Sequence, residues 1–438
     1  MSIRSVARVT ALSLLWKFTS AQFCTSLKTD TWAGYVDAVS EALDQTGFAV
    51  LCPFEISGDG CQGMEEYPEG LRIKEGQSQV LISCDSLLFG YHEESTECVV
   101  DCPGRHITVP ESSSLTLERM VFSGATESSI KVEEGGTLTV INSIFKDNKA
   151  NSEEGKGGAI FVLPNSSVHI YYSQFVRNTA DYGGAIYGGD FSYVEVVESM
   201  FEENKATISG GAFAEDGYSE SRFETSSFYK NDASFGGAIY IKELSTAKSL
   251  GNTFENNFAI DGGAIFSAGF TSVVDSTFEE NAAATGGAVY VEAGSSMTLS
   301  RSEFRSNSAT KFGPAVSNQF NVQVDAADNT ACGNAMESTG VHCEGILMLV
   351  PGETSQCVPF TNACDAPSAQ PSASPAPSAV LKFGDGDDGA VQFEEDSLMP
   401  SDMPSMVPSD MPSLVPSDMP SLVPSDMPSV TPSDMPSQ

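Results

Sequence analysis

The chain has 438 residues and a formal net charge of −37, and 40% of its residues are hydrophobic. That is enough apolar material for a core, but so acidic a surface repels phosphate backbones and anionic lipid, so nucleic acid is excluded as an expected partner. Divalent cations, cationic polymers or solubility alone are what the charge allows.

Residues 1–21 read as a secretory signal. Arg4 and Arg8 precede a short apolar run over 9–16, and Ala21 is a small residue suited to cleavage. No other run reaches the roughly 18 apolar residues of a membrane span. Membrane insertion is therefore not expected, and the mature chain is expected to be secreted and extracellular or cell-wall associated. Ten cysteines fit that compartment. Cys24, Cys52, Cys61, Cys84, Cys98 and Cys102 precede a cysteine-free centre, and Cys332, Cys343, Cys357 and Cys364 follow it. An even count on each flank predicts disulfide-stapled ends. Zinc is not expected, because no Cys-x-x-Cys pair or histidine partner has ligand spacing.

Residues 22–110 are expected to form a disulfide-rich N-terminal cap and the first coils of an array. Tyr35, Val36, Val39, Ala42 and Leu43 make a helical stripe over 31–45, with Asp30 or Thr31 as N-cap and Gly47 as the stop. Short strands follow at 48–51, 71–73, 79–83 and 106–109, between turns rich in Gly, Pro and Asp.

Residues 111–325 repeat one sentence. Phe-x-x-Asn-x-Ala occurs at Phe145/Asn148, Phe175/Asn178, Phe201/Asn204, Phe228/Asn231, Phe254/Asn257, Phe278/Asn281 and Phe304/Asn307. Gly-Gly-Ala then begins at Gly157, Gly183, Gly210, Gly236, Gly262 and Gly286, and Gly313-Pro314-Ala315 is a decayed last copy. Successive Phe lie 30, 26, 27, 26, 24 and 26 residues apart, a fixed period that marks a repeat array. Units this short cannot hold two helices with their turns. They fit an all-β, three-sided solenoid of nine or ten coils, each adding about 4.8 Å of height. Like residues then stack: the Phe as an internal aromatic column, the Asn as an amide ladder, and Ser143, Ser173, Ser199, Ser226, Asn252, Ser276 and Ser302 as a second polar ladder. Asn is also expected to take left-handed backbone at a corner, and Gly-Gly to supply positive φ at another.

This combination of Gly-Gly-Ala-Ile/Val with Phe-x-x-Asn resembles the repeats of the chlamydial polymorphic outer-membrane proteins, over about 115–321. The resemblance implies a right-handed parallel β-helix of the pectin-lyase-like superfold and a surface-exposed, adhesive role. It departs in one respect: residues beyond Asp365 are not expected to form a membrane barrel, so autotransport does not carry over. Residues 326–365 are read as a Cys-rich C-terminal cap. Residues 366–438 are read as a disordered Pro/Ser/acidic tail, whose eight-residue Pro-Ser-Asp-Met-Pro-Ser-x-x unit forbids helices and ladders. Such tails resemble those of secreted wall or matrix proteins of algae.

The superfold also houses polysaccharide lyases and hydrolases. Arg72-Ile73-Lys74 matches one tripeptide of the hydrolytic pectin depolymerases, but it precedes the array and no Gly-His-Gly accompanies it. No catalytic residue is assigned. No cofactor is expected beyond weak surface Ca²⁺, for which Asp385-Gly386-Asp387-Asp388-Gly389 is an incomplete loop. The residue after each Gly-Gly-Ala-aliphatic motif gives Phe161, Tyr187, Ala214, Tyr240, Phe266 and Tyr290. With Ile160, Ile186, Phe213, Ile239, Ile265 and Val289 turned inward, these five rings are expected to form an exposed, ligand-binding aromatic ladder. Asn165-Ser166-Ser167 is the one N-glycosylation sequon. The sequence thus predicts a non-enzymatic, secreted β-helix that adheres to extracellular polysaccharide or a cell-surface protein, with a polysaccharide lyase or hydrolase as the alternative.

Overall fold

The computed structural model describes residues 25–84, 97–151, 155–319, 322–336, 345–349 and 356–360. The expected signal, the tail and the 385–389 loop lie outside them.

The chain winds into a right-handed parallel β-solenoid. Three sheets of eleven, eleven and twelve strands run its length, each strand paired with its counterpart one coil away. The pairing is parallel throughout, except where Gln356–Pro359 returns antiparallel to Gly345–Leu349. In the first sheet, five-residue strands such as Thr137–Ile141, Ser167–Tyr171 and Tyr193–Val197 alternate, sending Leu138 and Val140, Val168 and Ile170, Val194 and Val196 inward. The second sheet carries Phe145 through Phe304 at the centre of three-residue strands, in register with one another and with Phe122 of the preceding coil. The third sheet buries Ile160, Ile186, Phe213, Ile239, Ile265 and Val289.

The Phe column is continuous. Ring centroids from Phe145 to Phe304 are 4.7–5.1 Å apart and nearly parallel, because register fixes each ring one coil height above the last. The Asn ladder runs beside it, fully buried at every rung. Asn148 Nδ2 opens it, donating to Asn178 Oδ1 at 3.0 Å and to the Phe122 carbonyl at 3.1 Å. Asn178, Asn204, Asn231 and Asn257 repeat the pattern, each donating to the next Asn and to the Phe carbonyl of the preceding coil. Asn281 then donates to Asn307 and to the Phe254 carbonyl, and Asn307 donates to Asn334 and to the Phe278 carbonyl. The ladder is therefore one rung longer than the motif predicts. The serine ladder forms too: each Ser hydroxyl accepts from the backbone N–H one coil below and donates to the carbonyl two residues back.

One corner differs from expectation. Left-handed backbone was expected at Asn148, Asn178, Asn204, Asn231, Asn257, Asn281 and Asn307, and none of the seven adopts it. It falls on the residue before each: Asp147, Arg177, Glu203, Lys230, Asn256, Glu280 and Ser306, with φ of 51–56°. The reason is the ladder, which needs each Asn amide aimed along the axis inside the core, so the preceding, outward-facing residue makes the turn. Gly-Gly also splits its work. Gly210 has φ 63°, whereas Gly211 is required for space, since a Cβ there would stand 2.1 Å from the Gly237 carbonyl oxygen.

The helix Trp32–Thr46 closes the N-terminal end. Thr31 caps it by accepting from the Gly34 N–H, and Gly47 ends it at φ 76°. Trp32, Tyr35, Val39 and Leu43 are buried against the first coils, with Tyr35 5.7 Å from Phe54 and Trp32 6.4 Å from His106. This shields an edge that an open solenoid would leave exposed. Cys61–Cys102 and Cys84–Cys98 staple the same end, and Cys52, Cys332 and Cys357 are also disulfide-bonded.

Candidate functional site

The repeated letters of the array reach no surface. Phe145, Phe175, Phe201, Phe228, Phe254, Phe278 and Phe304 are buried, as are Asn148, Asn178, Asn204, Asn231, Asn257, Asn281 and Asn307. Their rings and amides are spent on one another, so they build the rod and leave any ligand to other positions.

The rings expected to form an exposed ladder do point away from the core, but they are not exposed. Phe161, Tyr187, Phe266 and Tyr290 are buried and Tyr240 is half-buried. The cause is the segment between each Asn and the next Gly-Gly, which forms short sheets of its own: Thr179–Tyr182 with Lys205–Ser209, and Ala282–Thr285 with Ser308–Phe312 and Ala335–Met336. Tyr182 packs edge-on against Tyr187 and Phe235 edge-on against Phe266. Lys156 Nζ lies 4.5 Å from the Tyr187 ring centre, and Tyr187 and Lys242 both donate to Asp216, the latter at 2.6 Å. Burial raises the Asp216 carboxyl, but these hydrogen bonds outweigh it and hold the group below its ordinary range.

The exposed row lies elsewhere. The eighth residue after the first glycine of each Gly-Gly pair is Asn165, Phe191, Tyr218, Leu244, Phe270 and Gly294. All six are exposed; five stand at the corner entering the first sheet, whereas Phe270 is the first residue of the strand Phe270–Val274, in register with Thr246 and Ser296. Phe191, Tyr218, Leu244 and Phe270 are 59%, 57%, 53% and 48% exposed and come from four consecutive coils. Phe191 and Tyr218 stack at 5.0 Å and 9°. Phe191, Tyr218 and Leu244 have φ of 57°, 61° and 66°, a region costly for bulky side chains. A constant offset from Gly-Gly is the signal in the sequence that could have found them.

This ridge borders the outer face of the first sheet, which is rich in hydrogen-bonding groups. Glu195 accepts from the Tyr171 hydroxyl at 2.8 Å and lies 3.3 Å from His169 Nδ1. His169 packs against Tyr193, and Arg222 is held by Glu224. Burial, then Glu195, raise the Tyr171 phenol well above its ordinary range. Asn165, the sequon residue, is exposed with φ 60°, its Nδ2 donating to Glu134 at 3.0 Å. The tripeptide 72–74 is structural: Arg72 makes two hydrogen bonds to Glu133, and Lys74 pairs with Asp44. Among the described residues no group of three or more His, Cys, Asp or Glu converges as a metal site.

Comparison with known families matches residues 69–201 to the right-handed beta helix region and residues 253–268 to the Chlamydia polymorphic membrane protein repeat. The second match spans Phe254, Asn257 and Gly262-Gly263-Ala264, part of one coil of the array. No curated protein and no solved structure matches the chain. The two matches suggest a surface-associated protein. The chain is a right-handed parallel β-helix that carries a repeat of the Chlamydia polymorphic membrane protein type.

Proposed function

We propose that this is a secreted, non-enzymatic β-helix that adheres to extracellular polysaccharide. The observation that carries the reading is the exposed ridge Phe191–Tyr218–Leu244–Phe270 beside a sheet face of Tyr171, Tyr193, Glu195 and Arg222. Sugars offer apolar C–H surfaces and dense hydroxyls, and an apolar strip flanked by donors and acceptors complements both. Phe191 and Tyr218 stand in strained backbone at exposed positions, which selection for stability alone would not maintain. A polysaccharide array read for both retention and chain cleavage tests this. Retention without cleavage, weakened by Tyr218→Asn and Phe270→Ser in a folded protein, is the expected result. Retention unchanged by both substitutions would remove the ridge from the reading.

A polysaccharide lyase or hydrolase is the second reading, favoured by the Glu195–Tyr171–His169 cluster on an open sheet face. Cleavage on the same array, abolished by Glu195→Gln, would establish it in place of the first.

A further inference from the structure

We propose that Asn165 carries an N-linked glycan whose first sugar packs on the free face of Phe191. Asn165-Ser166-Ser167 has the acceptor pattern, and Asn165 stands exposed on a left-handed corner. Its backbone N–H donates to the Asp190 carbonyl at 3.0 Å, which sets Asn165 and Phe191 in register one coil apart. Phe191 N–H donates in turn to the Gly217 carbonyl, placing Tyr218 one coil further on.

The stacking of Phe191 on Tyr218 then decides which face is free. Tyr218 covers the face of Phe191 directed toward the later coils. The opposite face is turned toward the coil of Asn165, and among the described residues no other ring lies against it. A sugar linked to Asn165 Nδ2 extends outward from the same corner, with its C–H face toward that ring. The attached amide keeps one N–H, so the bond to the Glu134 carboxylate can persist and hold the linkage in place. Covering Phe191 removes apolar surface from water at the point where strained backbone exposes it. It also leaves Tyr218, Leu244 and Phe270 open, so the adhesive reading does not depend on it.

The test uses the full chain secreted from a eukaryotic host. Mass analysis of the tryptic peptides is expected to find a glycan on Asn165. Asn165→Gln and Ser167→Ala, which remove it in different ways, should each lower Tm by about 2–4 °C. Trimming to a single N-acetylglucosamine should leave Tm unchanged, because only the first sugar touches the ring. In a Phe191→Asn background, neither substitution should have any further effect. An unmodified Asn165 in the secreted protein overturns the proposal. So does a loss of Tm on removing the glycan that is the same with and without Phe191.

Discussion

Asn204 and Asn231 are joined by a hydrogen bond of 3.0 Å from Nδ2 to Oδ1, deep inside the solenoid and repeated at every coil around them. Asn204 Nδ2 also donates to the Phe175 carbonyl at 2.8 Å, while its Oδ1 accepts from the Asn178 backbone N–H and side chain. Every polar atom of the side chain is thereby used. Asn204→Ala would strand the Asn178 N–H and the Phe175 carbonyl in a dry interior, and a cost of about 3–5 kcal/mol is expected from unmet buried groups. Asn204→Asp should be at least as damaging, since a carboxylate can accept but cannot donate to Asn231. Denaturant titration of both variants checks the prediction, and a loss under about 1 kcal/mol would mean that water replaces the rung.

How far such rungs can be read from the chain depends on which forces set them. Phe, Asn and Ser recur because identical residues stack on themselves, and self-stacking is visible as a period. What the period does not carry is backbone conformation: Asn148, Asn281 and Asn307 have a residue type suited to a left-handed corner, yet their buried amides keep them out of it. The last rungs, Asn329 and Asn334, are hidden in the sequence because Ala331 replaces the Phe beside them. Tyr187 departs from expectation for a different reason. Alternation tells correctly which side of the strand it faces, but its cover comes from Tyr182 and Lys156, at the position before Gly-Gly, where the residue type changes from coil to coil (Ser209, Phe235, Asp261). Phe191 has a regular spacing, yet nothing in residue type alone marks a Phe as standing in left-handed backbone.

Glu215 is a carboxyl placed in the core, at a position that other coils fill with Val162, Gly188, Ile241, Ser267 and Val291. It is buried, neither oxygen makes a well-formed hydrogen bond to the described residues, and Gly188 leaves it room: a Cβ on Gly188 would lie 3.6 Å from that of Glu215. Burial raises its pKa well above the ordinary 4.5, and the nearby Ser221 hydroxyl opposes this without offsetting it. Below that ordinary value both folded and unfolded chains hold the proton. Above it the unfolded chain releases the proton and the folded chain does not, so stability falls as pH rises, at up to about 1.4 kcal/mol per pH unit. Glu215→Gln should match the parent near pH 4 and exceed it increasingly toward pH 8. A constant difference across that range in chemical denaturation would show that ionisation is not the cost.

His106 has the opposite slope. Its Nε2–H donates to the Cys102 carbonyl at 2.8 Å, so Nδ1 must accept from the Ser129 hydroxyl, also at 2.8 Å, and the ring is neutral. Burial lowers its pKa from 6.5 to about 4. As pH falls below 6.5 the unfolded chain gains a proton that the folded chain refuses, and about 3 kcal/mol of stability is lost by pH 4. His106→Phe would keep the ring against Phe122, 5.6 Å away, and carry no such dependence. The variant is expected to be the less stable protein at pH 7 and to close the gap by pH 4. Parallel stability curves would mean that the ring takes up its proton equally in the folded and unfolded chains, and that burial does not hold it neutral.

Tyr218 brings stability and adhesion into conflict at one residue. Its φ of 61° lies in the left-handed region that Asn165 (60°) and Gly294 (87°) also occupy at the same corner in other coils, with residue types suited to it. Holding a large ring there costs on the order of 1 kcal/mol, and 57% of the residue is left exposed, so little burial offsets it. Its stack on Phe191 returns part of that amount. Tyr218→Asn should therefore be neutral to stabilising, by up to about 1 kcal/mol, in thermal or denaturant unfolding. The same variant should lose retention on the polysaccharide array. A ring that served only packing would show the reverse, with lower stability and unchanged retention, and the proposed role of the ridge would then fail.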